Sequence, residues 1–429
     1  MPNVNTDSQE GTSGFGFFMY LLVLISSGSI NTISNKLQNI TVSLGQKYNH
    51  SFFITFVMFC GEATCLLVFY LKKNKKNNPI RNQNGEQDGL VVISEKLNLP
   101  PQKPELSPYM LMLPAFCDFL SSTVNTIGLT MMTGSSFQMM RGASILFVAF
   151  FSKIFLKNKL FAHNYIALTL IVFGLGLVGA ANLVLEPSIP RMCSALEATT
   201  TSVLGFALIF FGSIFVAFQF ILEEEFIKKY NVHPLEIVGW EGVWGALFYI
   251  PVLIIFQNIQ CPNPVAGKES WTKVLCTRND KNQWILEDSE FAIRQNANDS
   301  MLFFCNIAYC LSIALFNYTG VTVTKIASAA SRAVTDTIRT VVIWCFFMLP
   351  IVSICNREHF NFVQLTGFLF LIGGTLIYNE IIQLPWGKKT ENVENEDNKE
   401  IKGSEEEIKA LNYDTIPLDA IPSSGNKYV

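Results

Sequence analysis

The segment "SSFQMMRGASILFVAFF", residues 135–151, contains one charged residue, Arg141, in a run of apolar and small residues. A charged side chain in the middle of a membrane span costs several kcal/mol unless it faces protein or water. If the segment crosses a membrane, Arg141 is therefore expected to lie inside the protein. A second copy of the segment would indicate a repeated architecture with a repeated polar position.

The composition of the whole chain is typical of a polytopic helical membrane protein. Half of the 429 residues are hydrophobic, 15% are charged, and phenylalanine alone occurs 36 times. The net charge of −3 is too small and too mixed to indicate a nucleic-acid partner. The first residues, "MPNVNTDSQEGTSG", show no cleavable signal peptide, so we expect the first span to be an uncleaved anchor.

The apolar segments predict the number of spans, since a helix needs about 20 apolar residues to cross a bilayer. Ten segments come near this length, at residues 15–36, 51–71, 107–131, 134–156, 162–184, 201–226, 235–257, 300–320, 326–350 and 360–383. The predicted fold class is therefore an all-α polytopic membrane protein with ten transmembrane helices. Hydrophilic stretches interrupt the series at 72–106 and 258–299, and the charged tail 387–429 is predicted to be disordered.

The distribution of basic residues predicts the orientation of the spans. With the N-terminal residues 1–14 in the cytosol, lysine and arginine concentrate in the short cytosolic loops and in the insertion 72–106. Both termini are then cytosolic and the loop 258–299 is luminal. Two Asn-x-Ser/Thr sequons in or beside predicted luminal loops, at Asn39 and Asn298, are candidate glycosylation sites.

A second copy of the opening segment is found near the other end of the chain. "SFQMMRGASILF" (136–147) aligns with "VTDTIRTVVIWC" (334–345), which matches Arg141 to Arg339 and Gln138 to Asp336. Hydrophobic helices align easily with one another, but here the matches fall on polar residues, which chance alignment of apolar runs does not favour.

Two other span pairs extend the match. "CGEATCLLVFY" (60–70) aligns with "GWEGVWGALFY" (239–249), which places Glu62 on Glu241, and the first and sixth spans place Asn31 opposite Gln219. Five spans per copy is an odd number, so the two copies have opposite orientations in the membrane. The sequence predicts a 5+5 inverted repeat, with residues 15–184 as one half and 201–383 as the other.

Several blocks of the sequence resemble a known family of transporters. They are "GSINTISNK" (28–36), "GEATCLLVFYL" (61–71), "SSFQMMRGA" (135–143), "LEEEFIKKYNVHPLEIVGWEG" (222–242) and "RTVVIW" (339–344). Over residues 14–385 the chain resembles the drug/metabolite transporter superfamily, which includes EamA-like and nucleotide-sugar transporters, and within it subfamily F of solute carrier family 35. The resemblance implies a ten-helix inverted-repeat bundle around a central cavity, with helices 5 and 10 at the periphery. It does not fix the substrate.

Arg141 and Arg339 are the first candidates for substrate binding, because two repeat-related guanidiniums in a cavity form a fork for phosphate or carboxylate. Other polar residues of the predicted spans either line the same cavity or form hydrogen bonds between helices. These residues are Asn31, Asn125, Gln138, Gln219, Asn317 and Tyr318.

The acidic residues of the spans suggest a second function. A carboxylate removed from water can exchange protons near neutral pH, so Glu62, Glu241, Asp118 and Asp336 are candidates for proton coupling or for binding a cationic solute. Alternatively, the glutamates tie helices together, and Asp336 neutralises Arg332 and Arg339 on its own helix. The predicted spans contain four such acids and three arginines, so their charges do not decide whether the solute is an anion or a cation.

These features predict a secondary active transporter or exchanger that moves a small organic, anionic solute across an endomembrane by alternating access. The alternatives are a proton-coupled exporter of cationic or drug-like solutes and a membrane scaffold without transport activity. The sequence has no His-Glu-x-x-His, Gly-x-Ser-x-Gly or phosphate-loop motif, so we expect no enzymatic activity, metal or cofactor. The expected partners are the solute and membrane lipid.

Two further predictions concern the loop and the tail. In "CPNPVAGKESWTKVLC", Cys261 and Cys276 are predicted to form a disulfide with Trp271 packed inside the closed loop, although Cys193 and Cys355 are competing partners. The tail contains "YDTI", in which Tyr413 and Ile416 match the Tyr-x-x-apolar sorting signal that clathrin adaptors bind.

Location and assembly follow less directly from the sequence. The sorting signal favours an endosomal or lysosomal membrane, with the Golgi or mitochondrial membrane as alternatives. The glycine motifs "GLGLVGA" (174–180) and "GGT" (373–375) allow close helix packing, either within each half or across the seam of a homodimer.

Overall fold

A computed structural model describes residues 14–77, 104–132, 134–157, 162–184, 199–263, 272–279, 283–349, 362–378 and 382. Most of the insertion 72–106 and the whole tail 387–429 lie outside these ranges. The chain divides into two units, Met1–Asn379 and Glu380–Val429, and every described helix and strand belongs to the first.

The described residues are almost entirely helical. The helices are α1 Gly14–Ile40, α2 Ser51–Asn77, α3 Met112–Thr130, α4 Gly134–Arg141, α5 Ser144–Phe155, α6 Ala162–Val184, α7 Thr199–Lys229, α8 Pro234–Phe256, α9 Thr272–Leu275, α10 Ser289–Asn298, α11 Ser300–Ile326, α12 Ala329–Met348 and α13 Phe362–Tyr378. A 3-10 turn, Pro108–Leu111, precedes α3. Two short hairpins pair β1 Val42–Ser43 with β2 Gln46–Lys47, and β3 Thr277–Arg278 with β4 Trp284–Ile285.

Side-chain caps set the start of several helices. The Asp288 carboxylate accepts from the Phe291 amide at 2.9 Å where α10 begins, and the Asp299 carboxylate accepts from the Met301 amide at 2.8 Å where α11 begins. Such caps satisfy backbone donors that have no partner within the helix. They fix the point at which the chain turns from the loop 258–299 into α11.

Seven helices among the described residues are long and apolar enough to cross a membrane. They are α1, α2, α3, the α4–α5 segment, α7, α8 and α11, while α6 and α13 contribute shorter apolar stretches. Large apolar side chains such as Leu67, Phe304 and Leu369 are exposed on the outer faces, as expected for helices solvated by lipid. The predicted all-α polytopic class is thus confirmed, and each of the ten predicted segments contains helix.

The predicted span 134–156 is not one continuous helix. α4 ends at Arg141 and α5 begins at Ser144, and the Gly142 and Ala143 amides donate to carbonyls three residues back, both at 3.0 Å. A Cβ on Gly142 would lie 3.1 Å from a methyl of Leu371 on α13, so a glycine fits the close approach there. This break places Arg141 at a helix end, where the sequence pattern predicted the middle of a span.

The helices pack in pairs that join distant parts of the chain. The closest pairs are α1 with α11, α3 with α7, α2 with α8, and α6 with α13. In the last pair a Cβ on Gly174 would lie 2.6 Å from the Gly367 carbonyl oxygen, so small residues are required at this crossing. Gly174 belongs to "GLGLVGA", which therefore serves packing within the chain at this point.

The described residues of the loop 258–299 pack against the α1–α2 connection. His50 and Glu287 are fully buried, with His50 Nδ1 at 2.6 Å from Glu287 Oε1. Gln295 Nε2 donates to the Ser43 carbonyl at 2.9 Å, and His50 Nε2 lies 3.1 Å from Gln295 Oε1. Burial raises the pKa of the neighbouring Tyr48 phenol well above its usual value. These contacts hold the loop against the ends of α1 and α2.

Cys261 and Cys276 are joined by a disulfide that closes a loop of 15 residues in this segment. Cys193, Cys355 and Trp271 lie outside the described residues. In the chain-entropy account, closing such a loop stabilises the fold by about 3 kcal/mol.

We expect Cys276→Ser to lower the free energy of unfolding by about 3 kcal/mol, whereas Cys60→Ser, at a free and exposed cysteine, leaves it unchanged. Unfolding in detergent measures both variants. Mass spectrometry of non-reduced peptides should recover Cys261 linked to Cys276. A free Cys261 thiol, or its linkage to another cysteine, would contradict the pairing, and free thiols at Cys193, Cys261, Cys276 and Cys355 together would contradict the predicted luminal position of the loop.

Candidate functional site

A cavity of about 70 Å³ lies between helices of both predicted halves. Its wall combines apolar and aromatic side chains with many charged, amide and hydroxyl groups. The charged and amide side chains in its wall are Asn31, Asn35, Asp118, Asn125, Arg141, Gln219, Asn317 and Arg332. The aromatic side chains in the wall are Phe137, Phe220, Tyr309 and Phe316.

The cavity brings together six of the twelve residues predicted for binding or coupling, namely Asn31, Asp118, Asn125, Arg141, Gln219 and Asn317. Tyr318 instead packs against an apolar cluster that includes Cys65 and Phe226. Neighbouring residues of a helix point about 100° apart, so Asn317 and Tyr318 face different surroundings. The sequence predicted this helix, but it did not predict which face of the helix, and so which of the two residues, points into the cavity.

Arg141 lies at the end of α4, with a side chain that is 19% exposed. Its Nη2 is 3.8 Å from Asp336 Oδ2, which is too far for a hydrogen bond. Its guanidinium lies 5.8 Å from the centre of the Phe137 ring. No hydrogen bond to Arg141 occurs among the described residues, so its donors remain open to the cavity.

Arg339, the repeat partner of Arg141, has a different environment. It is 1% exposed, its Nε is 2.8 Å from Asp336 Oδ1, and its guanidinium lies 4.7 Å from the Phe316 ring centre. Gln138, with its amide oxygen turned toward Arg339, accepts from Nε at 2.7 Å. Arg339 is absent from the cavity wall, so the predicted fork of two guanidiniums in the cavity is wrong: the structure provides only Arg141 of that pair.

Glu223 is a buried acid that the sequence analysis missed. Its Oε2 is 2.5 Å from Arg332 Nη1, and the two side chains are 0% and 2% exposed. The Arg332 guanidinium also lies 3.9 Å from the centre of the Phe220 ring. The predicted neutralisation of Arg332 by Asp336 is therefore not observed among the described residues, where Asp336 pairs with Arg339. A signal was available, since Glu223 follows Gln219 by four residues and so lies on the same helix face.

A hydrogen-bonded chain connects this ion pair to the other half of the protein. Arg332 Nη2 donates to Asn317 Oδ1 at 3.2 Å, and Asn317 Nδ2 donates to Glu62 Oε1 at 2.6 Å. The chain thus runs from Glu223 on α7 through Arg332 on α12 and Asn317 on α11 to Glu62 on α2. Charged and amide groups in such a chain fix the relative positions of four helices.

Five buried carboxylates around this chain have incomplete hydrogen bonding. Within the described part of the protein, Glu62 Oε2, Asp118 Oδ2, Glu223 Oε1, Glu241 Oε1 and Asp336 Oδ1 have no hydrogen-bond partner. The sequence analysis counted four of these acids and missed Glu223; another buried acid of α7, Glu224, pairs with Lys228. Glu62, Asp118 and Glu241 form no ion pair among the described residues, and burying unpaired negative charge is very unfavourable, so we expect these three groups to hold protons or a cation.

Three further predictions concern metal binding, glycosylation and the sorting signal in the tail. The described residues contain no group of three His, Cys, Asp or Glu side chains placed to hold a metal ion. Asn298 is exposed, whereas Asn39 is buried and donates to Asn35 Oδ1 at 3.0 Å, which argues against a glycan at Asn39. Tyr413 and Ile416 lie outside the described residues.

A cavity lined by charged and polar groups, inside helices long enough to cross a bilayer, is typical of a membrane transport protein. The comparisons agree with this class. The chain is 33% identical to solute carrier family 35 member F6 of Mus musculus over 371 residues, which cover 85% of this chain and 88% of the relative. The Homo sapiens protein of the same name is also 33% identical over 85% of this chain.

An uncharacterized protein of Schizosaccharomyces pombe is 27% identical over 365 residues, 85% of this chain. No family model matches the sequence. At this identity and coverage the chain belongs to solute carrier family 35, subfamily F, of the drug/metabolite transporter superfamily, and the predicted membership is confirmed. It is a multi-pass membrane protein whose family points to transport of small molecules rather than to catalysis.

Proposed function

We propose that the protein is a secondary active transporter or exchanger that moves a small organic anion across an endomembrane by alternating access of the central cavity. The position of Arg141 carries this proposal. Its nearest carboxylate, Asp336, is already bound by Arg339 at 2.8 Å, so Arg141 offers unused donors to the cavity. A guanidinium with open donors is suited to bidentate binding of a carboxylate or phosphate.

The proposed architecture is the ten-helix inverted repeat, and the helix pairing supports it. The first five spans would be α1, α2, α3, α4–α5 and α6, and the second five α7, α8, α11, α12 and α13. Under this correspondence the pair α1–α11 becomes α7–α3, which is also a close pair. The pairs α2–α8 and α6–α13 each map onto themselves. Two halves related in this way can rock about a site between them.

The excess of buried acids favours a second candidate, a proton-coupled exporter of cationic or drug-like solutes. Glu62 and Glu241 would then carry protons, with Asp118 and Asp336 as further coupling groups. The two candidates differ in a measurable way, because solute movement by the exporter acidifies or alkalinises the vesicle interior. A pH-sensitive dye inside vesicles therefore distinguishes proton exchange from exchange of two solutes.

The proposed location is an endosomal or lysosomal membrane with both termini in the cytosol, and the Golgi or mitochondrial membrane as alternatives. The "YDTI" signal in the tail and the excess of basic residues in the predicted cytosolic loops support this location. Clathrin adaptors are the proposed partners of Tyr413 and Ile416. We also propose a homodimer, but we assign no surface of the protein to its interface.

Comparative metabolomics of organelles isolated from cells with and without the protein tests the proposed function. We expect at least one small organic anion to change in amount across the organelle membrane. The control is a cell line that expresses the Arg141→Ala variant at the same level, in which the change should be absent. An unchanged metabolite profile would support the membrane scaffold alternative.

A further inference from the structure

We propose that the cavity binds a zwitterion, whose anionic group contacts Arg141 and whose cationic group contacts Asp118. This inference rests on the proposed transport function and narrows its substrate class. It starts from the two charged side chains in the cavity wall that have no hydrogen-bonded partner of opposite charge among the described residues.

The first of these groups is Asp118 on α3, whose side chain is almost entirely buried. Its Oδ1 accepts from Ser122 Oγ at 2.7 Å, and its Oδ2 has no hydrogen-bond partner among the described residues. It forms no ion pair within the described part of the chain. Asp118 lines the cavity, and a buried carboxylate oxygen that lacks a donor from the protein is expected to receive one from the ligand.

The second group is Arg141, whose closest carboxylate lies 3.8 Å away. Arg332, the other arginine among the described residues of the wall, is already paired with Glu223 at 2.5 Å. The cavity therefore presents one open positive group and one open negative group. Its electrostatic character is dipolar rather than uniformly positive or negative.

Solutes of different charge satisfy these groups to different extents. A simple anion pairs with Arg141 but leaves Asp118 without a donor, and a simple cation leaves Arg141 without an acceptor. Protonation of Asp118 does not remove the problem, since the new hydroxyl group then lacks an acceptor. A zwitterion pairs with both groups at once, and removing either charge from the solute leaves a desolvated charge in the protein.

The remainder of the wall supports an organic body between the two charges. Phe137, Phe220 and Phe316 line the cavity together with Val216 and Ile313. The ligand is therefore expected to carry an apolar or aromatic part in addition to its two charged ends.

Exchange of a whole metabolite extract across proteoliposomes tests the inference without a choice of substrate. The purified full-length protein is reconstituted into vesicles that contain an unlabelled small-metabolite extract of cells, and the vesicles are placed in an isotope-labelled extract. Capillary electrophoresis with mass spectrometry then identifies the labelled compounds that enter and the sign of their charges. We expect compounds that carry both a cationic and an anionic group at neutral pH.

Variants assign the two charges of the solute to the two residues. Asp118→Asn keeps the shape of the side chain and is expected to reduce entry of the zwitterion about tenfold or more, since a charge-assisted hydrogen bond is lost. Arg141→Gln should reduce it at least as strongly. The matched control is Lys229→Gln, at an exposed lysine that pairs with Glu225 away from the cavity, and it should transport at the wild-type rate. Thermal unfolding of each variant verifies that it is folded.

The possible outcomes separate this inference from the proposed function. Entry of singly charged anions alone, with Asp118→Asn as active as wild type, overturns the zwitterion and leaves the anion transporter in place. Entry of singly charged cations alone overturns the zwitterion in favour of the proton-coupled exporter. Vesicles that take up no compound overturn the transport function itself.

Discussion

Replacement of Arg332 by alanine is expected to lower the free energy of unfolding by about 3–5 kcal/mol, because it leaves the Glu223 carboxylate buried without its partner. The pair is 2.5 Å apart and both side chains are almost completely buried. The substitution also removes the donor to Asn317 and the contact with the Phe220 ring. Unfolding of the purified protein in mixed detergent micelles measures the loss.

Two control variants distinguish the stability lost with the Arg332–Glu223 ion pair from the stability lost on any substitution. Lys229→Ala removes an exposed lysine from its pair with Glu225 and should leave stability unchanged. The double variant Arg332→Met with Glu223→Leu should recover most of the loss, because apolar replacements of similar volume remove the unpaired charge. Wild-type stability of Arg332→Ala would show that Glu223 does not depend on this arginine.

The Arg141→Ala variant is expected to reduce transport by about 100-fold or more while the protein remains folded. The guanidinium has no hydrogen bond in the described structure, so its removal disturbs the solute rather than the helices. The loss corresponds to two charge-assisted hydrogen bonds from a bidentate arginine to an anion. Exchange of the metabolite found by the vesicle experiment, measured beside thermal unfolding, gives both quantities.

Arg339→Ala should behave in the opposite way, although the sequence repeat predicts the same effect for both arginines. Arg339 is 1% exposed and holds Asp336 at 2.8 Å, so its loss should reduce the amount of folded protein. Arg141→Lys is the matched variant for the first site: it keeps the charge but not the fork, and partial transport is expected. Unfolding of Arg141→Ala together with a stable Arg339→Ala would reverse the two assignments.

The sequence by itself determined the class of the protein and the position of its apolar segments. Hydrophobicity is a property of each residue, and the minimum length of a span is set by the bilayer, so these features can be recognised without knowledge of the fold. Arg141, Asp118 and Gln219 were identified because a polar residue in an apolar span is conspicuous wherever its helix lies. The pairing of Cys261 with Cys276 was also predictable, because both ends of one short loop are close in space.

Only the tertiary structure decided which of these groups are partners and which are open. Asp336 lies between Arg141 and Arg339, and it binds Arg339 at 2.8 Å while Arg141 remains at 3.8 Å. Arg332 pairs with Glu223 on α7 rather than with an acid on its own helix. The buried contact of His50 with Glu287 joins residues more than 200 positions apart.

The physical reason is that the rotation and depth of a helix depend on how it packs against its neighbours. The break at Gly142 and the close crossing at Gly174 and Gly367 set these quantities for α4 and α13, and neither follows from local composition. A rotation of about 100°, one residue along a helix, moves a side chain such as Asn317 or Tyr318 into or out of the cavity. The choice of partners for the buried charges is therefore made by packing between helices, which the sequence of a single helix does not contain.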